Sequence, residues 1–220
     1  MQAIIGPDAT WYVGEHETGE YRRCGAVNVA VGGDLVSARN AALDDAHHAN
    51  RPCVQVDDDL RHLKVRTPQG TSTCTWTQAV ATLASACATT GAHLAGSAPT
   101  DNPYFAHPDR PYATNLFVIG SLMYVQPSTP RFDPALRLKE DYDFTCQHLA
   151  TYGLVARANL LLPSFRHYSN RGGAVSYRTT ALEDQAVAYL RRKWPDAIKP
   201  HPRRAHEVLL RWPRSKEPVT

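Results

Sequence analysis

Two aspartates two positions apart, Asp57 and Asp59, close the stretch CVQVDDDL. In an extended segment, residues i and i+2 project to the same side, so these two carboxylates face together while Asp58 points away. Paired hard oxygen donors suit Mg²⁺ or Mn²⁺, which takes one or two carboxylates and completes its octahedron with water and nucleotide phosphates. A turn or a helix cap would use the same residues. Their position directly after an apolar, β-branched run weighs for the cation.

A second group, Glu140, Asp141 and Asp143, opens a helical stretch. Acids there complement the helix dipole in any case. One of them, so placed, can also act as a general base toward an alcohol that attacks an electrophilic carbon. A third stretch, FRHYSNRGG, offers His167 as an imidazole ligand and Arg166 with Arg171 as a phosphate clamp. Its glycines permit close backbone approach; the plainer reading is a surface loop. Residues 97–113 hold four prolines together with Tyr104, Phe105 and Tyr112. Such rings either stack on a ligand or pack the loop down, and so long a loop in a compact domain is usually functional.

The elements that must position these groups alternate along the chain. Strands are expected at 26–32, 53–56, 92–96, 115–126, 154–162 and 207–212. The spacing predicts a helix over 37–50, with Ser37 as its N-cap. A second helix over 75–91 places Trp76, Val80, Leu83 and Cys87 on one face and ends at Gly91. A third, over 139–153, is stopped by Gly153, and a fourth is opened by a Thr180/Glu183 capping box and turns Val187 and Leu190 inward. This order argues for an α/β sheet covered by helices, with ligands at the carboxyl ends of the strands.

At 220 residues the chain suits one large domain, and no internal repeat divides it. No apolar run approaches the ~20 residues of a membrane span and no secretory leader is recognisable, so no membrane partner is expected and a cytoplasmic location is. Five scattered cysteines without a Cys-x-x-Cys pair indicate neither a disulfide framework nor a zinc site. The net charge of +3 is uneven: residues 191–220 hold nine Lys or Arg against three acids. That stretch is expected to be a basic extension of a 1–190 domain, either solvated or bound to a polyanion.

Taken in order, SARN, VQVDDDL, KED and the later His167 resemble the motifs of GT-A fold glycosyltransferases, a Rossmann-like mixed sheet flanked by helices. In that family an Ala-Arg-Asn helix precedes a metal-binding Asp-x-Asp motif, and an x-Glu-Asp motif and a metal-binding histidine follow. The order and spacing agree across roughly residues 1–175. A narrower likeness, carried by SARNAALDDA, VQVDDDL, KEDYDF, SNRGGAVSYR, KWP and EVLLRW, is to the TET-associated glycosyltransferases of bacteriophages, which act on hydroxymethylated pyrimidines in DNA.

The resemblance implies Mn²⁺ or Mg²⁺ on Asp57, Asp59 and His167, with a nucleotide sugar such as a UDP-hexose held by Arg39, Asn40, Asp58 and Arg171. Asp141 would be the general base, with Glu140 in reserve, in an inverting transfer. Acceptor DNA would meet Tyr104, Phe105 and Tyr112, and the basic tail with Arg203 and Arg204. No obligate protein partner is implied. Two other readings stay open: a GT-A enzyme acting on a small molecule, glycan or protein, and a non-catalytic DNA-binding module whose acids only cap helices.

Overall fold

The computed structural model describes residues 1–166 and 177–213. The chain is a mixed α/β protein. In order it runs α1 (Gln2–Ile5), β1 (Thr10–Val13), α2 (Thr18–Arg23), β2 (Asn28–Val31), α3 (Leu35–His48), β3 (Cys53–Val56), β4 (Leu60–Thr67), β5 (Gly70–Thr73), α4 (Trp76–Thr90) and β6 (Leu94–Ser97). There follow β7 (Tyr112–Thr114), β8 (Leu122–Val125), α5 (Glu140–Tyr152), β9 (Ala156–Ala158), β10 (Leu161–Phe165), α6 (Thr180–Lys193), β11 (Ile198–Pro200) and β12 (Val208–Leu210).

The strands form several sheets rather than one. The central sheet has the order β3-β8-β6-β9-β7, in which β6 and β9 are parallel and the other pairs antiparallel. An antiparallel sheet β10-β4-β5 stands beside it, β1 pairs β2 in parallel, and β11 pairs β12. The step from β3 to β4 is therefore a step from one sheet to another, and Asp57, Asp58 and Asp59 occupy it.

Helix α4 buries Leu83 and Cys87 fully and Trp76 and Val80 partly against the central sheet, as the periodicity predicts. Gly91 ends it at φ 76°, a left-handed conformation that costs glycine little. Other expectations need correction. Asp34, not Ser37, caps α3; its side chain accepts the Ser37 N–H at 2.9 Å. Thr179, not Thr180, caps α6. Only Leu122–Val125 of the expected 115–126 strand is extended, because Gly120 and its neighbours leave the sheet to meet α3 and α5. The strands β4 and β5 were not anticipated.

The expected boundary at residue 190 falls inside α6. Beyond it, Ala197, Ile198 and Val208 are buried in a core shared with Leu136, Leu138, Cys146 and Leu190, so residues 194–213 pack into the body. All five cysteines are free. Among the described residues, no helix is long and apolar enough to cross a membrane.

Candidate functional site

Arg39 sits one turn into α3, on its inward face, and is 9% exposed. Its Nη2 lies 3.0 Å from Asp57 Oδ1 at the end of β3, and its Nη1 lies 3.5 Å from Glu140 Oε1 at the start of α5. The Nη1 contact is a charge contact without hydrogen-bond alignment. The guanidinium rests 5.3 Å from the centre of the Phe132 ring and directly against Gly120. Three stretches separated in sequence thus meet on one buried cation.

Each partner is set by its local backbone. The Asp57 N–H donates to Ser121 O at 3.0 Å, which extends the β3–β8 pairing one residue past the strand. Asp141 Oδ2 accepts the Gly120 N–H at 3.0 Å, and its Oδ1 accepts the Tyr142 N–H at 3.0 Å. Thr145 fixes the same corner, accepting Val118 N–H at 3.3 Å and donating to Asp141 O at 2.8 Å. Lys139, the residue before Glu140, takes a left-handed conformation at φ 60°. Its Nζ lies 2.5 Å from Glu183 and 3.5 Å from Glu207. That unusual backbone turns α5 so that its first two residues face Arg39.

The electrostatics follow from burial. Desolvation alone would lower the Arg39 pKa, but Asp57, Glu140 and Asp141 more than offset it and hold the guanidinium above its ordinary value. Burial raises Glu140 above the usual carboxylate range despite Arg39, and Asp141 adds to the rise. Burial likewise raises Asp141, opposed by the Gly120 amide and Arg39. Glu140 is buried and committed to Arg39, whereas Asp141 is partly open. Of the two, Asp141 is placed to exchange a proton with a bound molecule.

Asp57, Asp58 and Asp59 do not lie in one extended segment: Asp58 and Asp59 form a turn between β3 and β4. Strand alternation therefore does not set their directions. The Asp57 side chain is 38% exposed and has one oxygen on Arg39. Exposed Asp58 accepts a hydrogen bond from Tyr21 on α2, and the Asp59 carbonyl accepts Arg166 N–H at 3.0 Å. Asn40 spends its amide on the backbone of Phe132, donating at 2.9 Å and accepting at 2.8 Å.

Among the described residues, no group of three or more His, Cys, Asp or Glu side chains is arranged to hold a metal ion. A hard dication bound through one or two carboxylates, water and ligand phosphates does not need a third protein donor, and the 38% exposed Asp57 side chain has only its Oδ1 on Arg39. His167 and Arg171 lie outside the described residues.

A cavity of about 210 Å³ adjoins this corner, lined by Thr100, Asp101, Ile119, Ser121, Ser164 and Phe165 among others. Tyr104 and Phe105 are 78% and 64% exposed on the loop beside it. Tyr112 is half-buried, with its hydroxyl 3.4 Å from Ser85. Arg203 and Arg204 are exposed; their amides donate to His201 Nδ1. No protein-family model matches the chain, and neither the curated proteins nor the solved structures include a match.

Sequence reasoning missed Gly120, Lys139, Thr145 and Tyr21. A lone glycine inside an apolar run is a signal of close backbone approach and could have marked Gly120. Nothing in the residue type of Lys139 announces a positive φ.

Proposed function

We propose that this protein is a GT-A-type, metal-dependent, inverting glycosyltransferase that moves a sugar from a nucleotide donor, a UDP-hexose in the first instance, to the hydroxyl of a 5-hydroxymethylpyrimidine, above all 5-hydroxymethylcytosine, in phage DNA. One observation carries most weight. Arg39, Asp57 and Glu140, from three of the four motifs of the resemblance, meet within 3.5 Å around one buried guanidinium. Capping acids with no common task need not converge so.

In this reading Asp57 and Asp59 would hold Mn²⁺ or Mg²⁺, which would supply positive charge for the leaving nucleoside diphosphate. Arg39 keeps Asp57 oriented. Asp141, fixed by the Gly120 amide, takes the proton of the acceptor hydroxyl as its oxygen bonds to C1 of the sugar. The bond from C1 to the diphosphate oxygen breaks on the opposite face, which inverts the anomeric centre. Burial lifts Asp141 toward the working pH, where a carboxylate accepts a proton more readily. The reaction would take place in the cytoplasm of the host cell if the protein is phage-encoded.

The test is to incubate the protein with Mn²⁺, a panel of nucleotide sugars and duplex DNA containing 5-hydroxymethylcytosine, then digest to nucleosides for mass spectrometry. A hexose-sized mass gain on the modified nucleoside is expected. No gain with any donor sinks the DNA-modifying reading.

A further inference from the structure

Residues 60–100 and 144–182 contain no Asp or Glu. The sheet β10-β4-β5 draws all three of its strands from these acid-free stretches. Its register decides which side chains share a face. His62 is opposite Ser164, Lys64 is opposite Leu162 and Thr73, and Arg66 is opposite Thr71. Opposed residues point the same way. His62, Lys64 and Arg66 therefore form one row, bordered by Ser164 and Leu162 on one side and by exposed Thr71 and Thr73 on the other. The alternate residues Leu63 and Leu161 are buried in the core with α4, so the cationic row faces away from it. Among the described residues, Lys64 and Arg66 make no ion pair; the two side chains are part-exposed, while Arg66 Nε and His62 Nε2 are themselves buried without a hydrogen-bond partner.

Residues 98–111 straddle the same face. The Ala98 N–H donates to Leu161 O at 3.0 Å, and Ala98 and Ala106 are buried against Leu160 and Leu162. This seating holds the neighbouring Tyr104 and Phe105 out in solvent, edge to face at 5.2 Å between ring centres. Ser164, which ends the cationic row opposite His62, also lines the cavity of about 210 Å³ that reaches Ser121 and so the Asp57 edge. Asp101 in that lining would repel a phosphate and tolerate a neutral base.

We propose that this face of β10-β4-β5 docks a nucleic-acid strand, with Lys64 and Arg66 on its phosphates, Tyr104 and Phe105 stacked on its bases, and the cavity receiving the base that reacts. Cations with interleaved exposed aromatics suit a backbone and bases together, which an acidic peptide would not exploit. The last clause alone rests on the glycosyl-transfer reading.

Fluorescence anisotropy with a labelled oligonucleotide, single-stranded and duplex, tests the docking without donor or metal, using the full chain across a salt series. The double variant K64Q/R66Q should bind the single strand at least tenfold more weakly. Its log Kd against log salt slope should fall by about 1.4, about 0.7 for each lost phosphate contact. The double variant Y104A/F105A should also weaken binding about tenfold while leaving the slope unchanged. Absence of binding, wild-type affinity in both variants, or displacement by polyglutamate as readily as by unlabelled oligonucleotide would overturn the proposal. A loss confined to R203Q/R204Q would overturn it too and move the contact to the C-terminal segment. Single K64Q and R66Q variants, checked by thermal unfolding, separate binding from folding. Metal-dependent hydrolysis of the nucleotide sugar by the same variants reports the transfer site independently.

Discussion

The carboxylate of Asp141 accepts a hydrogen bond from Gly120, a residue 21 positions earlier on an irregular segment leading into β8. The α5 terminus and the segment entering β8 of the central sheet are therefore coupled at the carboxylate proposed to take a proton. Asp141→Asn keeps the size of that group and removes its basicity. It should lower transfer by about 10²- to 10⁴-fold and leave metal-dependent donor binding near wild type in calorimetry. Loss of donor binding instead would place Asp141 in the nucleotide site.

The same assignment fixes a pH dependence. Only the ionised form of Asp141 accepts a proton, and burial raises its pKa above the ordinary 3.8. Activity should therefore rise with pH through a limb above the usual aspartate range. A profile flat down to pH ~4 would contradict the role.

Gly120→Ala would drive its Cβ into the Arg39 guanidinium, which is confined by Phe132 and its two carboxylate neighbours. Overpacking of this kind costs about 1–3 kcal/mol. Thermal unfolding should show that loss, with activity falling further than stability alone explains. Full activity would mean that Arg39 can shift freely.

Arg39→Ala would strand Glu140 in a buried place without its counter-charge. Breaking such a pair costs about 3–5 kcal/mol. Adding Glu140→Gln should recover part of that stability in chemical denaturation, without recovering activity. Arg39→Lys should not restore function, because a single ammonium lacks the planar fork that meets two carboxylates at once.

His148 on α5 is fully buried, with Nδ1 2.9 Å from Phe144 O, and burial lowers its pKa to about 4. The unfolded chain takes up a proton near its ordinary 6.5, the folded chain only near 4. Stability should be complete above pH ~6.5 and fall as the pH drops toward 4, by on the order of 3 kcal/mol from this group. Denaturant midpoints measured across that range should flatten in His148→Gln.

What could be read from sequence was whatever repeated a local rule. The β-branched run CVQV, the Leu83 and Cys87 face and the stop at Gly91 follow from residue type, period and cap chemistry alone. Arg39, Asp57 and Glu140 stood out as motifs, yet their meeting was invisible because it depends on how α3, β3 and α5 are brought together. β4 escaped because one face carries His62, Lys64 and Arg66, which mask its buried Leu60 and Leu63, and β5 because GTST has no apolar residue. The basic C-terminal segment misled for the opposite reason. Its arginines suggested an extension, either solvated or bound to a polyanion, while Ile198, Val208 and Trp212 pack into the body.

Tyr142 donates to Val208 O at 3.0 Å across 66 residues, and Lys139 reaches Glu207 across 68. Synthesis runs from the amino end, so the segment bearing Glu140 and Asp141 leaves the ribosome well before the hairpin β11–β12 that buttresses it. The proposed catalytic corner is thus completed only once that hairpin has emerged and docked, and a nascent chain lacking it would carry Glu140 and Asp141 without the frame that aims them.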